Sequence, residues 1–84
     1  MKIVINACYG GFGLSKEALK KLNMDEYKIK RNDPLLIKII EELGEKANGN
    51  YANLKIIEIP DDVEYEIEEY DGWEWISEKH RIWR

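Results

Sequence analysis

Val63-Glu64-Tyr65-Glu66-Ile67-Glu68-Glu69-Tyr70-Asp71-Gly72-Trp73-Glu74-Trp75-Ile76 is the stretch whose reading decides the fold. Apolar and charged residues alternate with period two on either side of Asp71-Gly72, a dipeptide suited to the two positive-φ positions of a tight hairpin turn. The expected hairpin sets Tyr70 opposite Trp73, Ile67 beside Ile76, Glu64 beside Lys79 and Asp62 beside Arg81. In that register Val63, Tyr65, Ile67 and Ile76 share one face. Glu64, Glu66 and Glu68 form a solvated face, partly offset by Lys79 and Arg81.

Working upstream, Pro60 and Asp61-Asp62 break the hairpin from another strand over residues 54–59. Asp33-Pro34 supplies an N-cap and a first-turn proline for a helix whose Leu36, Ile40, Leu43 and Ala47 make one apolar stripe, widened by Leu35 and Ile39. Asn48-Gly49 stops it. Ser15 caps an earlier helix running to about Leu22, with Leu14 and Leu19 spaced as a hydrophobic staple and Asn23 at its end. Residues 26–31 read equally as an edge strand or an extended linker, because Tyr27 and Ile29 alternate with lysines. Consecutive β-branched Ile3, Val4 and Ile5 before a glycine-rich turn read as a short buried strand. The expectation is an α+β fold in one domain, residues 1–84. It comprises a mostly antiparallel four-stranded sheet, two helices on one face and a C-terminal β-hairpin, with parallel pairing of the first strand left open.

Eighty-four residues allow one core. Cys8 is the only cysteine, which rules out an intrachain disulfide and a multi-cysteine zinc site and favours a reducing cytoplasm. The apolar run 3–5 is too short for a signal-peptide core, and nothing in the chain matches a transmembrane helix, so no membrane association is expected. The net charge of −4 is unevenly spread: +3 over residues 1–57, −9 over 58–74 and +2 over 75–84. An acidic block of that kind repels phosphate backbones, so direct nucleic-acid binding is not expected. Three tryptophans and five tyrosines exceed what a minimal core needs, which favours a homo-oligomer or an aromatic binding surface.

Tyr9-Gly10-Gly11-Phe12-Gly13 joins a strand to the capped start of a helix, where free N–H groups and the positive dipole end attract anions. Two readings stand: backbone contact with a phosphate, or a tight connection whose glycines reach positive φ. The spacing is neither a dinucleotide fingerprint, which needs glycine at Lys16, nor a Walker A loop. A cysteine-phosphatase loop is excluded by Leu14, which stands where arginine is required. A Cys8/His80 nucleophilic pair lacks a third orienting group, and one histidine makes no metal site, so neither catalysis nor a metal or other cofactor is expected. The candidate ligand site comprises Asn6, Tyr9, Gly10, Gly11, Phe12, Gly13 and Ser15 on the loop side. Tyr70, Trp73, His80 and Arg81 complete it from the hairpin, with aromatic rings to stack on a base and arginine to hold phosphate.

The segment running from Ile3-Val4-Ile5-Asn6-Ala7-Cys8-Tyr9 through Gly10-Gly11-Phe12-Gly13-Leu14-Ser15, together with Glu41-Glu42-Leu43-Gly44, Ile56-Ile57-Glu58-Ile59-Pro60-Asp61, Glu69-Tyr70-Asp71-Gly72 and the ending His80-Arg81-Ile82-Trp83, resembles a family of short phage and prophage proteins over nearly the whole chain. The resemblance implies a viral accessory protein acting in the host cytoplasm. Phage proteins of this size commonly disarm host defences, some by sequestering nucleotide immune signals. The expected function is therefore non-catalytic capture of a phosphorylated small molecule, such as a cyclic nucleotide or an ADP-ribose-derived signal. The alternative is an interaction protein that inhibits a host protein through its acidic hairpin or aromatic surface.

Overall fold

A computed structural model describes residues 1–78 and the backbone of Arg81–Trp83. Its elements in order are β1 (Lys2–Asn6), α1 (Lys16–Leu22), α2 (Pro34–Leu43) with a 3-10 turn over Gly44–Ala47, β2 (Leu54–Glu58), β3 (Tyr65–Tyr70), β4 (Trp73–Glu78) and β5 (Arg81–Trp83). The fold is α+β with antiparallel strands and a C-terminal hairpin.

The expected single sheet is in fact two. β1 pairs antiparallel with β2, setting Ile3 opposite Ile57 and Ile5 opposite Lys55, and β3, β4 and β5 form a separate sheet. The reason lies in β1 itself. Val4 faces a core built with Leu14, Ala18, Leu22, Leu36 and Ile40 from the helical side. Ile3 and Ile5 face the opposite way, into a second core with Ile57, Ile59 and Ile76, bordered by Val63, Tyr65 and Ile67, so the single core expected from the chain length is in fact two, one on each face of β1. A strand that is apolar on both faces needs cover on both, so the hairpin lies over the β1–β2 ribbon as a third layer instead of extending it sideways.

The caps behave as the sequence indicates. Ser15 Oγ accepts from the Ala18 N–H at 3.1 Å, and Asn23 takes the left-handed conformation at φ 54° to end α1. Asp33 Oδ1 accepts from the Leu35 N–H at 2.8 Å, with Pro34 in the first turn of α2. Gly44 ends that helix at φ 58°, so the expected reach to Ala47 is completed by the tighter 3-10 turn. Leu35 is exposed, and Ile37 takes its place in the buried stripe.

Residues 26–31 form no strand: a turn, with the Lys28 N–H bonded to Asp25 O, leads into buried Ile29. The Val4 N–H then donates to Arg31 O at 2.8 Å, which ties this segment to β1. In the hairpin, Tyr70 opposes Trp73 and Ile67 opposes Ile76, with Asp71 at φ 52° and Gly72 at φ 90°. Arg81 lies opposite Glu78 on β5 and not beside Asp62, because β4 stops at Glu78 and the following strand returns along its other edge. The expected Glu64–Lys79 pair involves a residue outside those described. No helix among the described residues is long and apolar enough to cross a membrane.

Candidate functional site

Asn6, the last residue of β1, is fully buried and ties three segments together. Its Nδ2 donates to Cys8 O at 2.9 Å and to Gly72 O at 2.8 Å, while its Oδ1 accepts from the Asn53 N–H at 2.8 Å. Its own backbone N–H donates to Glu74 Oε1 at 2.8 Å. Glu74 is 8% exposed and receives the Arg31 guanidinium on both oxygens, at 2.6 and 2.9 Å. Arg31 stacks in turn over Phe12, 3.7 Å from the ring centroid. A buried carboxylate is tolerable only when paired and hydrogen-bonded, and both conditions hold here.

The glycines of the loop serve the same junction. Gly10, at φ 138°, lies so close to Tyr51 that a Cβ would come within 2.4 Å of Tyr51 O. Gly72 presses on the loop from the hairpin side, where a Cβ would come within 2.4 Å of the Gly11 N, and the Gly10 N–H donates to Asp71 O at 3.3 Å. Gly13 O accepts from the Gly49 N–H at 2.9 Å. Ser15 is held by Ala47 O through its N–H, and its hydroxyl donates to Lys46 O at 2.7 Å. Close approach of backbone to backbone, and not to a ligand, accounts for Gly10 and Gly72.

Beside this junction the hairpin tip and β1 enclose an open cleft of about 420 Å³ lined by Tyr9, Tyr70, Trp73 and Trp75, with Ile5, Ala7, Lys55 and Glu74. Tyr9 meets Trp73 edge to face, with ring centroids 5.0 Å apart. Tyr9, Tyr70 and Trp73 remain 62%, 71% and 40% exposed. Flat rings that keep free surface next to a lysine suit a planar group with an anionic substituent.

The sequence-derived site is thus divided. Tyr9, Tyr70 and Trp73 meet in the cleft; Asn6, Gly10 and Gly11 belong to the junction beneath it; Phe12 lies under Arg31; Gly13 and Ser15 lie against residues 46–49. His80 is outside the described residues, and Arg81 is described by its backbone alone. Trp75, expected from the sequence as an aromatic at the hairpin tip, joins the cleft, whereas Lys55, Glu74 and Arg31 are not among the site residues expected from the sequence. Glu74 could have been found, since the hairpin register puts it on the same face as Ile76 and Ile67, where a carboxylate requires a partner. Cys8 is half-buried, its thiol 3.3 Å from Tyr51 O, and no cluster of metal-ligating side chains occurs among the described residues.

No protein-family model, no curated protein and no solved structure matches this chain.

Proposed function

We propose that this protein is a non-catalytic binding protein of phage origin that captures a phosphorylated small molecule bearing a planar ring in the cleft at the hairpin tip. One observation carries the reading: four aromatic side chains and a lysine line one open cleft over a hydrogen-bonded base. The base of the ligand stacks on Trp73 or Tyr9, and Lys55 contacts its phosphate. The junction of Asn6, Arg31 and Glu74 holds the cleft walls in place and reduces the ordering cost of binding. The resemblance to phage proteins supports a host immune signal, a cyclic nucleotide or an ADP-ribose derivative, as the cargo, and the host cytoplasm as its place. Exposed aromatics at the tip also suit association into a homo-oligomer.

The test is to incubate the protein with cyclic mononucleotides, cyclic dinucleotides and ADP-ribose, remove unbound ligand, and release what remains by heat. Intact ligand is the expected outcome. Altered ligand would make the protein an enzyme, and absence of any bound nucleotide would overturn the reading. Lys55→Gln should weaken the interaction about two- to fivefold and flatten its salt dependence, as for a single exposed charge contact.

A further inference from the structure

β3 has a strand partner on one side only: β4 pairs with it, and among the described residues its other edge meets no strand. An edge of six residues presents backbone donors and acceptors that can template pairing with another chain. Its two faces differ in chemistry. Glu66 and Glu68 point outward and are exposed, whereas Tyr65 and Ile67, with Val63 just before them, turn inward and are only partly covered by the core beneath.

We infer that the free edge of β3 is an interaction surface for an extended segment of a partner protein in which basic residues alternate with apolar ones. The segment adds as one further strand. Main-chain hydrogen bonds to β3 supply affinity, its apolar side chains cover the remaining surface of Tyr65 and Ile67, and its lysines or arginines stand across from Glu66 and Glu68. Charge selects this occupant over the others. Antiparallel pairing with a second copy keeps like faces together, so it sets Glu66 against Glu68, or Glu68 against itself, and is disfavoured. Nucleic acid is repelled by residues 58–74, which carry a net charge of −9 with no basic residue. The surface adjoins the aromatic cleft, since Tyr70 ends β3 and Glu68 stands opposite Trp75, but it binds through the strand edge and goes beyond small-molecule capture.

The experiment titrates the protein with a capped hexapeptide alternating lysine and valine, and with two N-methylated versions methylated at odd or at even positions. An added strand offers its neighbour the N–H groups of alternate residues only. One methylated version should therefore lose at least about tenfold in affinity while the other binds like the parent, a loss matching about 1.4 kcal/mol. The double variant Glu66→Gln/Glu68→Gln, altered only on the outward face, should keep its circular dichroism and melting temperature and bind the parent peptide about tenfold more weakly. Failure to bind at low salt, equal binding of both methylated peptides, or unchanged affinity in the double variant would each overturn the inference.

Discussion

In the glycine loop, Gly10 is pressed against Tyr51, and Gly72 against Gly10 and Gly11, closely enough that a single added carbon collides with backbone. At the adjoining hairpin tip, Tyr9, Tyr70 and Trp73 keep large exposed surfaces although they are among the bulkiest side chains of the chain. The two regions touch, through the Gly10–Asp71 hydrogen bond and the Tyr9–Trp73 ring contact, yet their construction is opposite. One commits the space around Gly10 and Gly72, with the Gly10 N–H and the Gly13 carbonyl, to the protein's own contacts. The other holds costly aromatic surface open to solvent. Density of internal contact therefore separates the part that makes the fold from the part that is free to meet a ligand.

The contrast breaks most visibly at Gly72. An alanine there takes φ near 90° and brings its Cβ to 2.4 Å from the Gly11 N and 2.8 Å from two Gly10 atoms, so the hairpin turn must lift off the loop. Strain and overpacking together predict a loss of about 3 to 4 kcal/mol, a large part of the stability of a chain this size. Urea denaturation measures it, and a loss below about 1 kcal/mol would mean that the turn and loop are not in contact.

Removing the charge at the centre of the junction comes next. Glu74→Ala removes the acceptor of the Asn6 N–H and both carboxylate contacts of the Arg31 guanidinium, leaving it the Val4 carbonyl at 3.3 Å, and breaking a fully buried ion pair costs about 3 kcal/mol. Arg31 is 24% exposed and can recover water, so about 2 to 3 kcal/mol is expected by the same denaturation assay. A Glu74→Ala variant as stable as the parent would show that the junction is not what holds the hairpin to β1.

These positions also show what could be read from the chain alone. The hairpin was legible because period-two alternation and Asp71-Gly72 are local signals, and the same holds for the caps at Ser15 and Asp33. The three-layer arrangement was only half legible: Ile3, Val4 and Ile5 announce burial, but their number of covered faces becomes clear only once a second layer is supplied. The hairpin register already marks Glu74 as a carboxylate on the inward face, but its partner was hidden, because Arg31 is 43 residues away in a segment without regular structure. The aromatic half of the candidate site was legible from residue type. Lys55 was not, since it looks like any lysine on an alternating strand until the fold brings it to Trp73 and Tyr9.

On the open side of the comparison, Trp73→Ala should leave stability within about 1 kcal/mol of the parent, since the ring is 40% exposed and its packing against Tyr9 is a single edge contact. Affinity for a captured nucleotide should fall by about 1 to 3 kcal/mol, the usual contribution of one stacked base, measurable by calorimetry. Equal affinity in the folded variant would move the ligand away from the hairpin tip.

The smallest effect is expected at Gly13, and it discriminates best between the two regions. Gly13 lies in the same loop as Gly10 and Gly11, and a backbone phosphate cradle would draw on all three. Unlike Gly10, it has no atom within 4 Å of a built Cβ, and its φ lies outside the left-handed range. Gly13→Ala should therefore fold normally, with stability unchanged or raised by up to about 0.5 kcal/mol because the unfolded chain loses freedom. Its hydrogen bond from the Gly49 N–H uses the carbonyl, which the substitution leaves in place. If nucleotides are held by the aromatic cleft, affinity stays at the parent value. If instead the folded Gly13→Ala protein binds tenfold more weakly, an added methyl group has met the ligand itself, and the glycine loop has to be counted with the open region despite the close contacts at its other end.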